Sequence, residues 1–238
     1  MSPNPAAFLL HLREAGYHPR SDKHSNALAK AIASDLFEHC PNIRERAAKG
    51  RLVYDLNFDL RAGTAQWNID LVLGEPGLGR EAEGNGEGIP RQTPSTVQIA
   101  VEIKSVMTEH RKAVKNRKRD FEAHHQHVHN YNNEAIAGGV LVVNASPVFK
   151  SPLRELTTVH KEPDTLVEHC VSELRSVAVR GGRTGYGLEA RCAIVLDFDN
   201  INSAAASFVT SRTAPSLGDP MHYDSFIRTL CDVYTRRF

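Results

Sequence analysis

The chain has 238 residues, of which 41% are hydrophobic, and its formal net charge is +1 at pH 7. This length and composition suit one domain with a sizeable core. The balanced charge excludes an overall basic field, so a nucleic-acid-binding surface would have to be local.

The cysteine spacing and the hydropathy narrow the class of protein further. The four cysteines lie far apart and form no CxxC pair, which argues against a zinc ribbon and against a disulfide framework. No run reaches the roughly 18 apolar residues of a membrane span. The stretch MSPNPAAFLLHLREAG is typical of a short amphipathic helix and not of a signal peptide. We therefore expect a cytoplasmic protein that has no membrane partner.

The first half of the chain predicts one helix followed by three strands. Apolar residues recur at helical spacing over 21–40, and strand patterns follow at 51–60, 66–74 and 97–104. The first two strands are joined by the turn RAGTA and form a predicted hairpin. Residues 75–94 are rich in Gly, Glu and Pro, which predicts a mobile loop.

The second half predicts further helices and strands. A long polar helix at 108–135, a buried strand at 138–146, a helix at 163–177, a strand at 189–200 and a helix at 222–238 follow in order. The helix at 108–135 can return the chain for parallel pairing, whereas the first three strands form a meander. We predict a single α/β domain over 1–238, with a mixed central sheet flanked by helices.

The strand at 97–104 carries an acid and an amine on one face. Residues two apart on a strand point the same way, so Glu102 and Lys104 project together. Asp70 is an isolated charge between apolar neighbours in the strand 66–74. If the two strands pair, two carboxylates and one ammonium converge. Such a group suits Mg²⁺ and phosphodiester hydrolysis.

The pattern Asp70 … Glu102-Ile103-Lys104, with its order of helix, three strands, helix and strand, resembles the PD-(D/E)xK nuclease superfamily over roughly residues 21–146. The resemblance implies an αβββαβ core of the restriction-endonuclease type. It further implies Asp70 and Glu102 as ligands of one or two Mg²⁺ ions, which Mn²⁺ can replace, and Lys104 as the catalytic lysine. Ile69 stands where the motif has proline, and 31 residues separate the two acids. The resemblance also implies an accessory acid from the first helix, either Glu38 or Asp35.

The predicted helix after the motif is basic and rich in histidine. Six lysines and arginines lie within 110–119, and DNA backbone contacts are expected from Arg111, Lys112, Lys115, Lys118 and Arg119. A solvated helix face is the alternative. Four histidines follow within 121–130, and His125 and His129 have the i, i+4 spacing of two zinc ligands. No third ligand is evident, so a polar or partner-facing helix is the preferred interpretation of the stretch from His124 to His129.

These features together indicate a Mg²⁺-dependent endonuclease acting on double-stranded DNA, and favour a sequence-specific type II restriction enzyme. A palindromic target would call for a homodimer, and the absence of a Walker motif argues against a nucleotide cofactor. Recognition or dimerisation elements are expected in 75–94 and in 147–238, which also completes the sheet. The alternatives are a structure-specific repair or recombination nuclease and a non-enzymatic DNA-binding module.

Overall fold

A computed structural model describes residues 5–62, 65–77, 87–210 and 213–238. The helices in these ranges are α1 Ala6–Ala15, α2 Lys23–His39, α3 Pro41–Ala48, α4 His110–Tyr131, α5 Pro163–Arg175 and α6 Tyr223–Arg237. The strands are β1 Val53–Ala62, β2 Ala65–Gly74, β3 Ile99–Val106, β4 Ile136–Asn144, β5 Val148–Phe149, β6 Thr158–Val159, β7 Ala190–Asp197 and β8 Ser207–Phe208. No helix in the described part of the chain is long and apolar enough to cross a membrane.

Six of the strands form one mixed sheet in the order β1-β2-β3-β4-β7-β8. The first three strands are an antiparallel meander. The chain then crosses over through α4, so that β4 pairs in parallel with β3, and β7 pairs in parallel with β4. The prediction of an α/β fold with a mixed sheet flanked by helices is therefore confirmed.

Helices cover both faces of the sheet. One apolar cluster contains Leu28 and Ile32 of α2 with Phe226 of α6, and the other contains Phe121 of α4 and Val167 of α5. All nine residues of β4 are buried, as expected for a central parallel strand enclosed between two helical layers.

Two adjacent glycines allow the helices to approach β4 closely. A Cβ atom on Gly139 would lie 2.8 Å from Leu188 and 3.0 Å from Phe121, and one on Gly138 would lie 3.2 Å from Phe226. The sequence GGVLVV therefore places small residues where the two layers press on the sheet. This packing fixes α4 against β3 and β4.

The structure adjusts several predicted boundaries. The strand predicted at 97–104 is Ile99–Val106, and the helix predicted at 108–135 ends at Tyr131. Part of the predicted mobile loop, residues 78–86, lies outside the described residues. Its later part runs beside β1, where the Tyr54 backbone bonds to Pro90 and Gln92. Helix α3 and the short strands β5, β6 and β8 were not predicted.

Candidate active site

Asp70 and Glu102 face each other at the end of the ladder between β2 and β3. The ladder pairs Leu73 with Ile99 and ends at Leu71 with Val101, so Asp70 and Glu102 would be the next opposing pair. Beyond this point Oδ2 of Asp70 accepts a hydrogen bond of 2.8 Å from the backbone N–H of Ile103. The carboxylate takes over the acceptor role that a strand carbonyl would otherwise have.

A distortion in β1 lies opposite Asp70. Asn57 has a φ of 54°, in the left-handed region that asparagine tolerates better than most residues. The β1–β2 register omits the Asn57–Asp70 pair, and the Asn57 side chain donates a hydrogen bond of 3.2 Å to Asp22. Asp70 is therefore absent from the registers of both neighbouring ladders, and its side chain takes part in the bonding at this position.

The two carboxylates share a largely dry environment with Lys104. The Glu102 side chain is 2% exposed, and Lys104 Nζ contacts its Oε1. Burial raises the pKa of Glu102 to about 7, although the charge of Lys104 opposes the shift. Burial likewise raises the pKa of Asp70. Burial alone would lower the pKa of Lys104, but Glu102 and Asp70 outweigh it and raise that pKa, so the amine stays protonated.

Helix α4 adds two groups to this site that the motif did not predict. His124 is fully buried, and its Nδ1 lies 3.8 Å from Oε2 of Glu102; burial lowers the pKa of His124 to about 3. Asp120, one turn earlier, acts electrostatically on Glu102 and Lys104. His124 shares the apolar stripe of α4 with Phe121 and Val128, a spacing visible in the sequence.

This donor set suits a hard divalent cation. Burial raises the proton affinity of both carboxylates, Asp70 raises that of Glu102 further, and one ammonium leaves part of their charge uncompensated. Oε2 of Glu102 is buried and has no hydrogen-bond partner among the described residues. A cation bound by carboxylate oxygens would compensate the remaining negative charge and give this buried oxygen a partner.

The proposed accessory acids of α2 do not join this site. The hydroxyl of Ser25, near the start of α2, acts on Asp70, whereas Asp35 and Glu38 lie ten and thirteen residues later, or about 15 to 20 Å along the helix. Asp35 accepts a 2.7 Å hydrogen bond from Tyr223. The acid of this region that acts on Asp70 is instead Asp22, just before the helix. Helical angle alone could not show which end of α2 meets the site.

Asp35 and Glu38 form a separate group with His39. Nε2 of His39 lies 4.0 Å from Asp35 and 3.9 Å from Glu38. One ligand atom from each of the three residues lies within 4.8 Å of the other two, which is close enough for all three to bind one metal ion. Glu38 is half exposed and Asp35 is bonded to Tyr223. This group lies near the end of α2 and is separate from the site at Asp70.

The basic residues at the start of α4 differ in their surroundings. Arg111, Lys112, Lys115 and Arg119 are exposed. Lys118 is half-buried and lies 3.5 Å from Glu173 of α5, so its amine already has a partner within the protein. The four exposed residues remain candidates for phosphate contacts.

The histidines proposed as a zinc pair belong to the polar core. Nδ1 of His125 accepts a hydrogen bond from the Gly187 amide, and Nε2 of His129 lies 3.2 Å from Glu189. The other oxygen of Glu189 contacts Arg180 and Arg237 at 3.3 and 2.8 Å. These contacts join α4 and α6 to the segment between α5 and β7, and the i, i+4 spacing here reflects a shared buried face of the helix.

No family model, no curated protein and no solved structure matches this chain. Its function therefore has to follow from the chemistry of the residues that the fold brings together. The group with the most specific chemistry is Asp70, Glu102 and Lys104.

Proposed function

We propose that this protein is a Mg²⁺-dependent endonuclease that hydrolyses phosphodiester bonds of double-stranded DNA in the cytoplasm, and that it is a sequence-specific type II restriction enzyme. One observation carries the proposal. Asp70 and Glu102 oppose each other where the β2–β3 ladder ends, and Lys104 lies against Glu102. The element order α2-β1-β2-β3-α4-β4, with β3 and β4 parallel, further supports a core of the PD-(D/E)xK type.

Asp70 and Glu102 would hold one or two Mg²⁺ ions, for which Mn²⁺ could substitute. Bound Mg²⁺ polarises a phosphoryl oxygen and lowers the pKa of a coordinated water. The fold fixes where the two negative charges lie. The Ile103 amide holds the Asp70 side chain toward β3, and burial holds the Glu102 side chain in place. Both carboxylates are therefore largely positioned before the substrate binds.

Lys104 supplies a fixed positive charge beside the scissile phosphate. Its neighbours keep the amine protonated, so it can donate hydrogen bonds to the attacking water and to a phosphate oxygen. It would offset the negative charge that develops on the pentavalent phosphorus. Its contact with Glu102 holds the ammonium in place in the free protein.

Substrate binding would use the exposed cations of α4. Arg111, Lys112, Lys115 and Arg119 lie five to thirteen residues before His124 on the same helix, about 8 to 20 Å along its axis, so they would contact phosphates that flank the scissile one. Base readout would come from segments outside the core, in 75–94 or 147–238. A palindromic target would be cut by a homodimer with one site for each strand.

The test is a cleavage assay on unmethylated phage DNA and on supercoiled plasmid, with Mg²⁺ or with EDTA. Discrete fragments that require Mg²⁺ and disappear in Glu102→Gln support the proposal. Nicks, or cleavage confined to branched or damaged DNA, would indicate a structure-specific nuclease of the same fold. DNA binding that is unchanged in Glu102→Gln, without cleavage in Mg²⁺ or Mn²⁺, would indicate a non-enzymatic module.

A further inference from the structure

Two buried ligand atoms face each other beside the proposed metal site. Nδ1 of His124 lies 3.8 Å from Oε2 of Glu102, and the two side chains are 0% and 2% exposed. Neither atom has a hydrogen-bond partner among the described residues. Unpartnered polar atoms in a dry interior are costly, so two of them in one place indicate a missing third group.

The tautomer of His124 follows from its other contact. Nε2 of His124 lies 3.3 Å from the carbonyl oxygen of Ala100. A carbonyl oxygen only accepts, so Nε2 carries the hydrogen and the neutral ring presents a lone pair at Nδ1. That lone pair points toward a carboxylate oxygen, and two acceptors in contact repel each other unless a donor or a cation lies between them.

We propose that Nδ1 of His124 is a nitrogen ligand of the divalent ion that Glu102 would hold, which makes the site prefer Mn²⁺ or a similar transition-metal ion to Mg²⁺. The inference rests on the proposed metal site but not on its being used for DNA cleavage. Neighbouring N and O ligands at bond lengths of about 2.0 to 2.2 Å stand about 3.0 to 3.5 Å apart, so a small rotation of the carboxylate suffices.

The ligand chemistry gives the direction of the metal preference. Carboxylates alone suit Mg²⁺ and Mn²⁺, whereas an imidazole nitrogen is a much better ligand for transition metals than for Mg²⁺. Lys104 contacts Oε1 of Glu102, which leaves Oε2 and Nδ1 as the pair aimed at the ion. Water, Asp70 and a substrate phosphate are available for the remaining positions.

Substitutions at His124 can distinguish a metal-binding role of the side chain from a purely structural role. Glutamine places its amide near the position of Nε2, so His124→Gln can keep the bond to Ala100 while removing Nδ1. Asparagine places its amide oxygen near Nδ1, so His124→Asn offers a hard oxygen in place of nitrogen. His39→Gln is the matched control, because His39 belongs to a different group of side chains that could hold a metal ion, with Asp35 and Glu38.

The experiment is Mn²⁺ binding to the full chain without DNA, measured by titration calorimetry and by electron spin-echo spectroscopy, which detects ¹⁴N bound to Mn²⁺. We expect a ¹⁴N signal in the wild type and in His39→Gln and its loss in His124→Gln. We also expect Mn²⁺ affinity to fall about tenfold or more in His124→Gln, with a smaller change for Mg²⁺. His124→Asn should bind both ions without the ¹⁴N signal. This variant replaces His124→Gln in the experiment if the glutamine variant does not fold.

Three results would overturn the inference: no Mn²⁺ binding, Mn²⁺ binding without ¹⁴N coupling, or a signal that disappears in His39→Gln and persists in His124→Gln. A DNA cleavage assay on the same samples separates this failure from that of the nuclease proposal. Cleavage in Mg²⁺ without nitrogen coupling would keep the nuclease and reject His124. Nitrogen coupling without cleavage would keep His124 and reject the nuclease.

Discussion

The carboxylate of Asp70 accepts a hydrogen bond from the backbone N–H of Ile103, 2.8 Å away on the neighbouring strand. The bond lies where the β2–β3 ladder ends, one position beyond Leu71 and Val101. It serves two purposes, because it satisfies an amide that has lost its strand partner and it directs Asp70 toward Glu102. Structure and proposed chemistry therefore depend on the same carboxylate.

Substitution of Asp70 should separate these two purposes. Asp70→Asn keeps an oxygen that can accept from Ile103, so the free energy of unfolding should stay near that of the wild type. Asp70→Ala leaves the amide unsatisfied and should cost about 1 to 3 kcal/mol. Both variants should lose Mg²⁺-dependent cleavage. Urea unfolding beside a plasmid assay checks this, and an Asp70→Asn protein that still cleaves at the wild-type rate would contradict it.

Glu102 should make the metal-free protein less stable as the pH rises. Burial raises its pKa from 4.5 to about 7, so the folded state holds the proton more tightly than the unfolded chain. Stability is therefore lost between about pH 4.5 and 7, by up to about 3 kcal/mol. Glu102→Gln should equal the wild type near pH 4.5 and exceed it at pH 8.

Chemical unfolding in EDTA across this pH range measures the difference between the two proteins. Glu14→Gln, which changes an exposed residue of α1, is the control and should follow the wild-type profile. Parallel profiles for Glu102→Gln and the wild type would show that Glu102 is not held in a strained, buried state.

The strand that carries Glu102 and Lys104 could be predicted because a period of two and an isolated acid are local signals. The convergence with Asp70 depended on the predicted meander, in which β2 pairs with β3, and the fold confirms that pairing. The partners contributed by helices could not. Helical periodicity gives the face of a helix but not which turn meets a distant strand. Glu38 and Asp35 were therefore named where Asp22 is the acid that acts on the site.

The histidine-rich part of α4 shows a second limit of pattern reading. His124, His125 and His129 lie on the buried face of the helix, but the spacing that suggested zinc ligands also describes any pair packed against a sheet. Their separate partners lie in β3 and in the segment before β7, which are distant in sequence. Only the fold distinguishes the histidine beside Glu102 from the one that pairs with Glu189.

The exposed cations of α4 should bind DNA phosphates of any sequence. Lys112→Ser and Lys115→Ser should each weaken DNA binding and lower the slope of log K against log salt by about 0.9 for each lost contact. Lys118→Ser is the matched control, since its amine lies 3.5 Å from Glu173. Fluorescence anisotropy at several salt concentrations measures both effects. An equal loss in Lys118→Ser would mean that the pattern of exposure does not identify the DNA-facing residues.

Removal of one partner from the buried network around Glu189 should strongly destabilise the protein. Glu189 contacts Arg180 and Arg237 through one oxygen and His129 through the other. Glu189→Gln leaves two buried guanidinium groups without their counter-charge, so it should lower the free energy of unfolding by about 3 to 5 kcal/mol. Glu134→Gln, which breaks an exposed pair with Arg183, should cost at most about 1 kcal/mol. Similar losses for both, in urea titrations, would contradict this ranking.

The most direct test of the central claim is single-turnover cleavage of a bound DNA substrate by Lys104→Ala, compared with the wild type and with Lys115→Ala. Mg²⁺ and EDTA samples run in parallel, and circular dichroism verifies the fold. Loss of a positioned charge at the reacting phosphate predicts a rate at least about 10² lower for Lys104→Ala, with DNA affinity nearly unchanged. Lys115→Ala should bind more weakly and cleave at the wild-type rate once bound. A wild-type protein that binds DNA but does not cleave it in Mg²⁺ or Mn²⁺, or a Lys104→Ala protein that cleaves normally, would contradict the assignment of this site.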